Sequence, residues 1–165
     1  LPEGQVMFPA LLQQAGYYTA AAGKWHLGGY AKRAFNTIVD SGPGGEERWV
    51  ECLQQRPKDQ PFFMWFASHD AHRGWAPDRC AKPHAPQDAI IPPYSIDTPD
   101  VRADMAKYYD EVQRLDRYVG LVVDELRAQG ILDNTVIFFM ADNGRPFPRC
   151  KTRLHDSGAT PPFFW

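Results

Sequence analysis

Thr135-Val136-Ile137-Phe138-Phe139-Met140-Ala141-Asp142-Asn143-Gly144 is the stretch whose reading decides the fold. Its first seven residues are rich in β-branched and aromatic types, with no alternation of apolar and polar, which predicts a strand buried on both faces. The run then stops abruptly. Asp142 and Asn143 supply hard oxygen donors and Gly144 frees the backbone to turn, which suits a cation at the carboxyl edge of a sheet. In open α/β sheets that edge is where ligands bind. Asp-Asn-Gly is also a common turn, so this stretch alone leaves both readings open.

Two other stretches repeat the design. Pro61-Phe62-Phe63-Met64-Trp65-Phe66-Ala67 is a continuous apolar run that ends in Ser68-His69-Asp70-Ala71-His72-Arg73. Tyr17-Tyr18-Thr19-Ala20-Ala21-Ala22, a weaker strand pattern, ends in Gly23-Lys24-Trp25-His26-Leu27-Gly28. If the three strands lie parallel in one sheet, their ends bring Lys24, His26, His69, His72, Asp142 and Asn143 into one crevice.

The composition permits such a core. A chain of 165 residues with 44% hydrophobic and 13% aromatic content can fill a globular interior and argues against disorder. A net charge of −2 provides no general basic field for nucleic acid, so anion binding must rest on local cations. No apolar run is long enough to span a bilayer. Cys52, Cys80 and Cys150 are irregularly spaced and include no Cys-x-x-Cys, which indicates neither a zinc site nor a disulfide framework.

Along the chain, helical spacing runs from about Gly4 to Ala15, with Pro9 in the first turn and Gly16 placed to end the helix. Residues 29–60 mix Gly, Pro and charge, with an evident loop at Ser41-Gly42-Pro43-Gly44-Gly45 and a short amphipathic helix from about Glu46 to Gln55. Residues 74–99 carry Pro77, Pro83, Pro86, Pro92, Pro93 and Pro99, the pattern of a long ordered loop beside a ligand site; His84 reads as an ordinary loop histidine. Thr98-Pro99-Asp100 starts a helix that keeps one apolar stripe from Met105 to Leu126 and ends at Gly130. It would be roughly 45 Å long, with Asp110 and Asp116 on its solvated or interhelical face. Arg145, Arg149, Lys151 and Arg153 follow the Asp-Asn-Gly turn and point to an anionic substrate.

These motifs resemble the type I sulfatases of the alkaline-phosphatase-like superfamily. Gly16-Tyr17-Tyr18-Thr19 with Gly23-Lys24-Trp25-His26-Leu27-Gly28 is similar to that family's second signature. Phe62-Phe63 through His69-Asp70-Ala71-His72-Arg73, the segment Asp116 to Gly120, and Asp142-Asn143-Gly144 with Lys151 follow in the family's order. The wording of the His-Asp-x-His-Arg and Asp-Asn-Gly-x-Pro-Phe-Pro motifs is closest to the heparan N-sulfatase (sulfamidase) branch and its bacterial relatives. Lysine at 151 departs from the arginine usual in that branch, and Ala71 replaces a usual proline.

The resemblance implies an α/β fold with a mostly parallel sheet flanked by helices. Residues 1–165 would form the central part of one sulfatase catalytic domain, incomplete at both ends. It implies hydrolysis of sulfate esters or N-sulfates of a small molecule or glycan, glycosaminoglycans included. Asp142 and Asn143 would ligate one Ca2+, and Lys24 and Lys151 would hold sulfate oxygens. His72 would protonate the leaving oxygen or nitrogen, and His26 would help expel sulfate, while His69 would support them indirectly. Such roles suit the chemistry, since cations stabilise charge on a transferring sulfuryl group and histidine exchanges protons near neutral pH. By family habit the protein would be lysosomal, periplasmic or secreted.

One part of the pattern is missing. The family's nucleophile is a formylglycine made from Cys or Ser in a Cys/Ser-x-Pro/Ala-x-Arg motif, and none of the three cysteines has that context. The formylglycine is therefore expected outside this chain, and the chain alone is expected to be inactive. Two alternatives stay open: a non-catalytic anion-binding module of the same fold, and a phosphoryl-transfer hydrolase of the same superfamily, which would need more His and Asp metal ligands.

Overall fold

The computed structural model describes residues 5–39, 45–75 and 82–165. Leu1-Pro2-Glu3-Gly4, residues 41–44 of the expected loop, Pro77 and Cys80 lie outside the described residues. The chain forms two compact units, one from residues 1–69 and 118–129, the other from residues 70–117 and 130–165.

In the first unit, Gly16 ends helix α1 (Phe8–Gln14), which has proline in its first turn. Gly16 adopts φ 87°, a conformation open to glycine at no steric cost. The chain turns directly into β1 (Tyr18–Gly23), the centre of a parallel sheet ordered β2-β1-β3, with β2 at Thr37–Val39 and β3 at Phe62–Ala67. The weaker strand pattern is thus the best-buried strand. Thr19, Ala20, Ala21 and Ala22 are buried, because a central strand has neighbours on both sides and small side chains let the covering layers approach closely. β3 is an edge strand and only half-buried, with Trp65 exposed. Helix α2 (Trp49–Gln55) seals one side through buried Trp49, Cys52 and Leu53, with Trp49 stacked on Phe66 at 5.4 Å.

β2 has no signature in the sequence. Three residues are too few for a period, and its position is fixed from a distance: the Thr19 amide donates to Asn36 Oδ1 (2.9 Å) and the Asn36 amide to the Thr19 carbonyl (2.8 Å).

Helix α3 (Pro99–Ala128) is close to its expected span, with the Val101 amide donating to Thr98 Oγ1 (3.3 Å) and Gly130 at φ 69° beyond its end. Its first part belongs to the second unit, whose core gathers Ala89, Met105, Phe147 and Cys150, with Trp75, Tyr94, Tyr108 and Tyr109 packed against them. His84 and Asp110 differ from their expected states. Asp110 is neither solvated nor turned to another helix: it is buried against the Pro-rich loop and accepts from the His84 amide (2.7 Å), with His84 Nδ1 at 2.8 Å, so this histidine pins that loop to α3.

The deciding stretch also departs from expectation. Only Phe139–Met140 forms a strand, β4, and its ladder is antiparallel, with β5 at Phe163–Phe164. The run is not buried on both faces: Val136 is 73% and Phe138 64% exposed. An uninterrupted apolar run signals burial only where neighbouring strands and covering layers meet it, and here the described partner is two residues long. Helix α4 (Asp156–Ala159) precedes β5.

Candidate functional site

In the first unit the sheet sets the geometry. β1 and β3 run in register from Tyr18 opposite Phe62 to Gly23 opposite Ala67, so both strands end level. The Lys24 amide then donates to the Ala67 carbonyl at 2.8 Å. Gly23 has φ 102°, and a Cβ there would run into the Ala67 carbonyl oxygen, so the turn that launches Lys24 requires glycine. Lys24 is half-buried at this edge, and His26, three residues past the end of β1, and His69, two past the end of β3, are exposed. Trp25 donates from Nε1 to the Gly28 carbonyl (3.1 Å) and packs edge-on against Phe35, which turns it into the core and leaves His26 to the surface. Glu46 is buried and accepts a hydrogen bond from the Ser68 hydroxyl.

In the second unit, His72 sits in an exposed loop. Its Nδ1 lies 3.1 Å from the Arg73 carbonyl. In the tautomer that carries its proton on Nδ1, that atom donates there and Nε2 is the ring's acceptor. Two ion pairs flank this histidine. Asp70 receives Arg114 Nε at 2.7 Å and a second bond from Nη2, with both side chains buried and Glu111 3.6 Å from the same guanidinium. Arg73 makes a bidentate pair with Asp104, Nη1 to Oδ1 at 3.1 Å and Nη2 to Oδ2 at 2.6 Å.

Lys151 follows a tightly wound loop. Its amide donates to the Arg145 carbonyl (3.1 Å), the Arg153 amide donates to the Cys150 carbonyl (3.1 Å), and the Ser157 hydroxyl donates to the Arg149 carbonyl (2.9 Å). Arg149 and Thr152 both adopt φ 66°, a left-handed conformation uncommon for such residues and typical of functional loops. Gly144 and Gly158 permit the winding, since a Cβ on either would meet backbone carbonyl oxygens. Cys150 is fully buried below Lys151. Burial pushes its thiol up, but hydrogen bonds involving Ser157, Tyr94 and Arg145 outweigh burial and hold it below the ordinary cysteine value. Arg145 donates to the Tyr94 hydroxyl at 2.7 Å, and Arg149 lies 5.8 Å from the Tyr94 ring.

Asp142 and Asn143 occupy the start of that loop. Asn143 Nδ2 donates to the Gly144 carbonyl (2.8 Å), which leaves its amide oxygen to accept a hydrogen bond or serve as a hard oxygen donor. A carboxylate and an amide oxygen suit Ca2+, which takes about six to eight oxygen donors. They fit as part of a site, and among the described residues no group of three His, Cys, Asp or Glu completes one. Cys52 and Cys150 are buried free thiols, and neither stands in a Cys-x-Pro/Ala-x-Arg context.

Lys24, His26 and His69 thus lie in the segments that leave the level ends of β1 and β3 in the first unit, and His72, Asp142, Asn143 and Lys151 occupy two loops of the second. Asp70, Arg73, Asp104, Glu111 and Arg114, which fasten the histidine loop, carry no role in the sequence reading. The available signal was Arg114 three and four residues after Glu111 and Asp110 on one helix, a spacing that brings side chains together.

A family model described as Sulfatase matches residues 46–163. The chain is 33% identical over 186 residues to human N-sulphoglucosamine sulphohydrolase, covering 93% of this chain and 37% of that protein. It is 44% identical over 72 residues to an ulvan-active sulfatase of Formosa agariphila, covering 44% of this chain and 12% of that protein. A solved structure, described as a complex with its substrate D-glucosamine-2-N,6-O-disulfate, superposes with a TM-score of 0.64 at 19% identity, over 86% of this chain and 50% of that one. The chain therefore spans about a third of the human relative's length.

Proposed function

Because this chain belongs to the sulfatase family, we propose that its residues form part of a site that hydrolyses sulfate esters or N-sulfates. Lys24 and Lys151 bind sulfate oxygens, and their ammonium groups offset the charge that develops as the sulfur–oxygen or sulfur–nitrogen bond breaks. His72 donates a proton from Nε2 to the leaving atom, and His26 assists release of sulfate. Asp142 and Asn143 help hold a Ca2+, which when bound polarises a sulfate oxygen. The nucleophile would be a formylglycine supplied from outside these 165 residues.

The observation that carries the reading is the level ending of β1 and β3, which delivers Lys24 and His69 to one carboxyl edge. Relatives named for N-sulphoglucosamine and N-acetylglucosamine-6-O-sulfate chemistry favour an amino-sugar sulfate as substrate. A lysosomal, periplasmic or secreted location belongs to the same proposal; no helix among the described residues is long and apolar enough to cross a membrane.

The test is sulfate release from glucosamine N-sulfate, glucosamine 6-sulfate and an aryl sulfate by the protein that carries both these residues and the formylglycine, with and without a calcium chelator. Chelator-sensitive release that falls by about two orders of magnitude or more in His72→Ala supports the assignment. Sulfate binding without release would point to the anion-binding module, and release of phosphate in place of sulfate to the phosphoryl-transfer hydrolase.

A further inference from the structure

The Arg73 guanidinium connects three segments through one planar group. It pairs with both carboxylate oxygens of Asp104 on α3. Its Nε donates to the Pro146 carbonyl at 2.9 Å. It lies 5.0 Å from the Phe147 ring centre and 5.4 Å from that of Trp75, two rings stacked on each other at 6.2 Å. Trp75 itself donates to Asp104 Oδ1 at 2.6 Å.

Pro146 and Phe147 belong to the loop that winds toward Lys151, whose amide bonds to the Arg145 carbonyl. A short path therefore runs from His72 to its covalent neighbour Arg73, to Pro146, to Arg145 and on to Lys151. Ion-pair strength alone does not explain this arrangement. The Arg73 side chain is 47% exposed, and exposed ion pairs contribute little. What the fork provides is geometry: Arg73 presents in-plane donors to a carboxylate and a carbonyl while its faces meet two rings, which a lysine ammonium cannot do at once.

We infer that Arg73 is a positioning residue, which holds the loop bearing His72 in fixed relation to the loop bearing Lys151 so that both act on one substrate. This rests on the roles proposed above for those two side chains. Misplacing a proton donor by a fraction of its hydrogen-bond length costs turnover rather than binding.

Two measurements on the full chain and on the active enzyme separate the possibilities. Hydrogen exchange read by mass spectrometry on wild type, Arg73→Ala, Arg73→Lys and Asp104→Asn resolves residues 70–75 from residues 144–151. Arg73→Ala is expected to speed exchange about tenfold in both loops, with partial recovery in Arg73→Lys. Loosening confined to residues 70–75, or full recovery by lysine, overturns the inference. In the active enzyme, Arg73→Ala is expected to lower kcat about tenfold or more for sulfates with poor leaving groups, to spare activated aryl sulfates, and to leave KM nearly unchanged. A uniform loss across leaving groups, in an enzyme where His72→Ala does discriminate, overturns the positioning role while the sulfatase reading stands. If His72→Ala itself shows no discrimination, the proposed role of His72 falls, and the exchange data alone decide whether Arg73 ties the loops.

Discussion

Replacing Arg114 by methionine removes the cation from between two buried carboxylates. The guanidinium is 6% exposed, and Asp70 and Glu111 are 3% and 5% exposed, so water screens little of the attraction. Methionine preserves most of the volume, so the change is electrostatic rather than a cavity. Removing one partner of a buried pair costs about 3–5 kcal/mol because the remaining charge stays desolvated. For a chain of this size that corresponds to a fall in Tm of roughly 6–20 °C. Asp70→Asn is expected to cost less, about 1–3 kcal/mol, since the amide oxygen still accepts from Arg114 and Glu111 keeps the guanidinium paired. Urea unfolding of both variants against wild type, with the slope checked for constancy, measures the difference. A loss below about 1 kcal/mol for Arg114→Met, or a larger loss for Asp70→Asn than for Arg114→Met, would refute the view that this arginine anchors the histidine loop.

Gly23→Ala should destabilise the protein by about 2 kcal/mol or more, because a Cβ at φ 102° meets the Ala67 carbonyl oxygen; denaturant unfolding checks it. Asp104 provides a pH test. Burial raises its pKa, but the hydrogen bonds from Arg73 and Trp75 and the nearby cations outweigh burial, so the net direction is downward. A depressed carboxylate contributes stability above its unfolded value of about 3.9, and loses it as pH falls through the lower folded value. Protection of residues 70–75 should therefore persist at pH 5 and fail only in more acid solution, and Asp104→Asn should abolish that acid limb. Burial pushes the Cys52 thiol up to about 11. Its alkylation at pH 8 should be slower than that of a free thiol by roughly two orders of magnitude from ionisation alone, with labelling restored on unfolding in urea.

The sequence by itself determined the elements whose signals are local. Gly16, Thr98-Pro99-Asp100 and Gly130 mark helix ends through their own backbone chemistry, and the structure ends α1 and bounds α3 accordingly, whereas α1 begins at Phe8 and not near Gly4, with Pro9 in its first turn as its sequence suggests. The motifs at Gly23-Lys24, His69 to Arg73 and Asp142-Asn143-Gly144 were equally legible, since each couples a turn residue to side chains of one chemical kind, and they led to the family to which the chain belongs. Only the tertiary structure decided what depends on partners distant along the chain. It made the alanine-rich β1 the central strand, recruited Thr37–Val39 through Asn36, and left Val136 and Phe138 exposed in a run whose composition called for burial. It also made fasteners of Asp70, Arg73 and Asp110. Their partners Arg114, Asp104 and His84 lie between 26 and 44 residues away, and no period or motif encodes a charge pair at that separation.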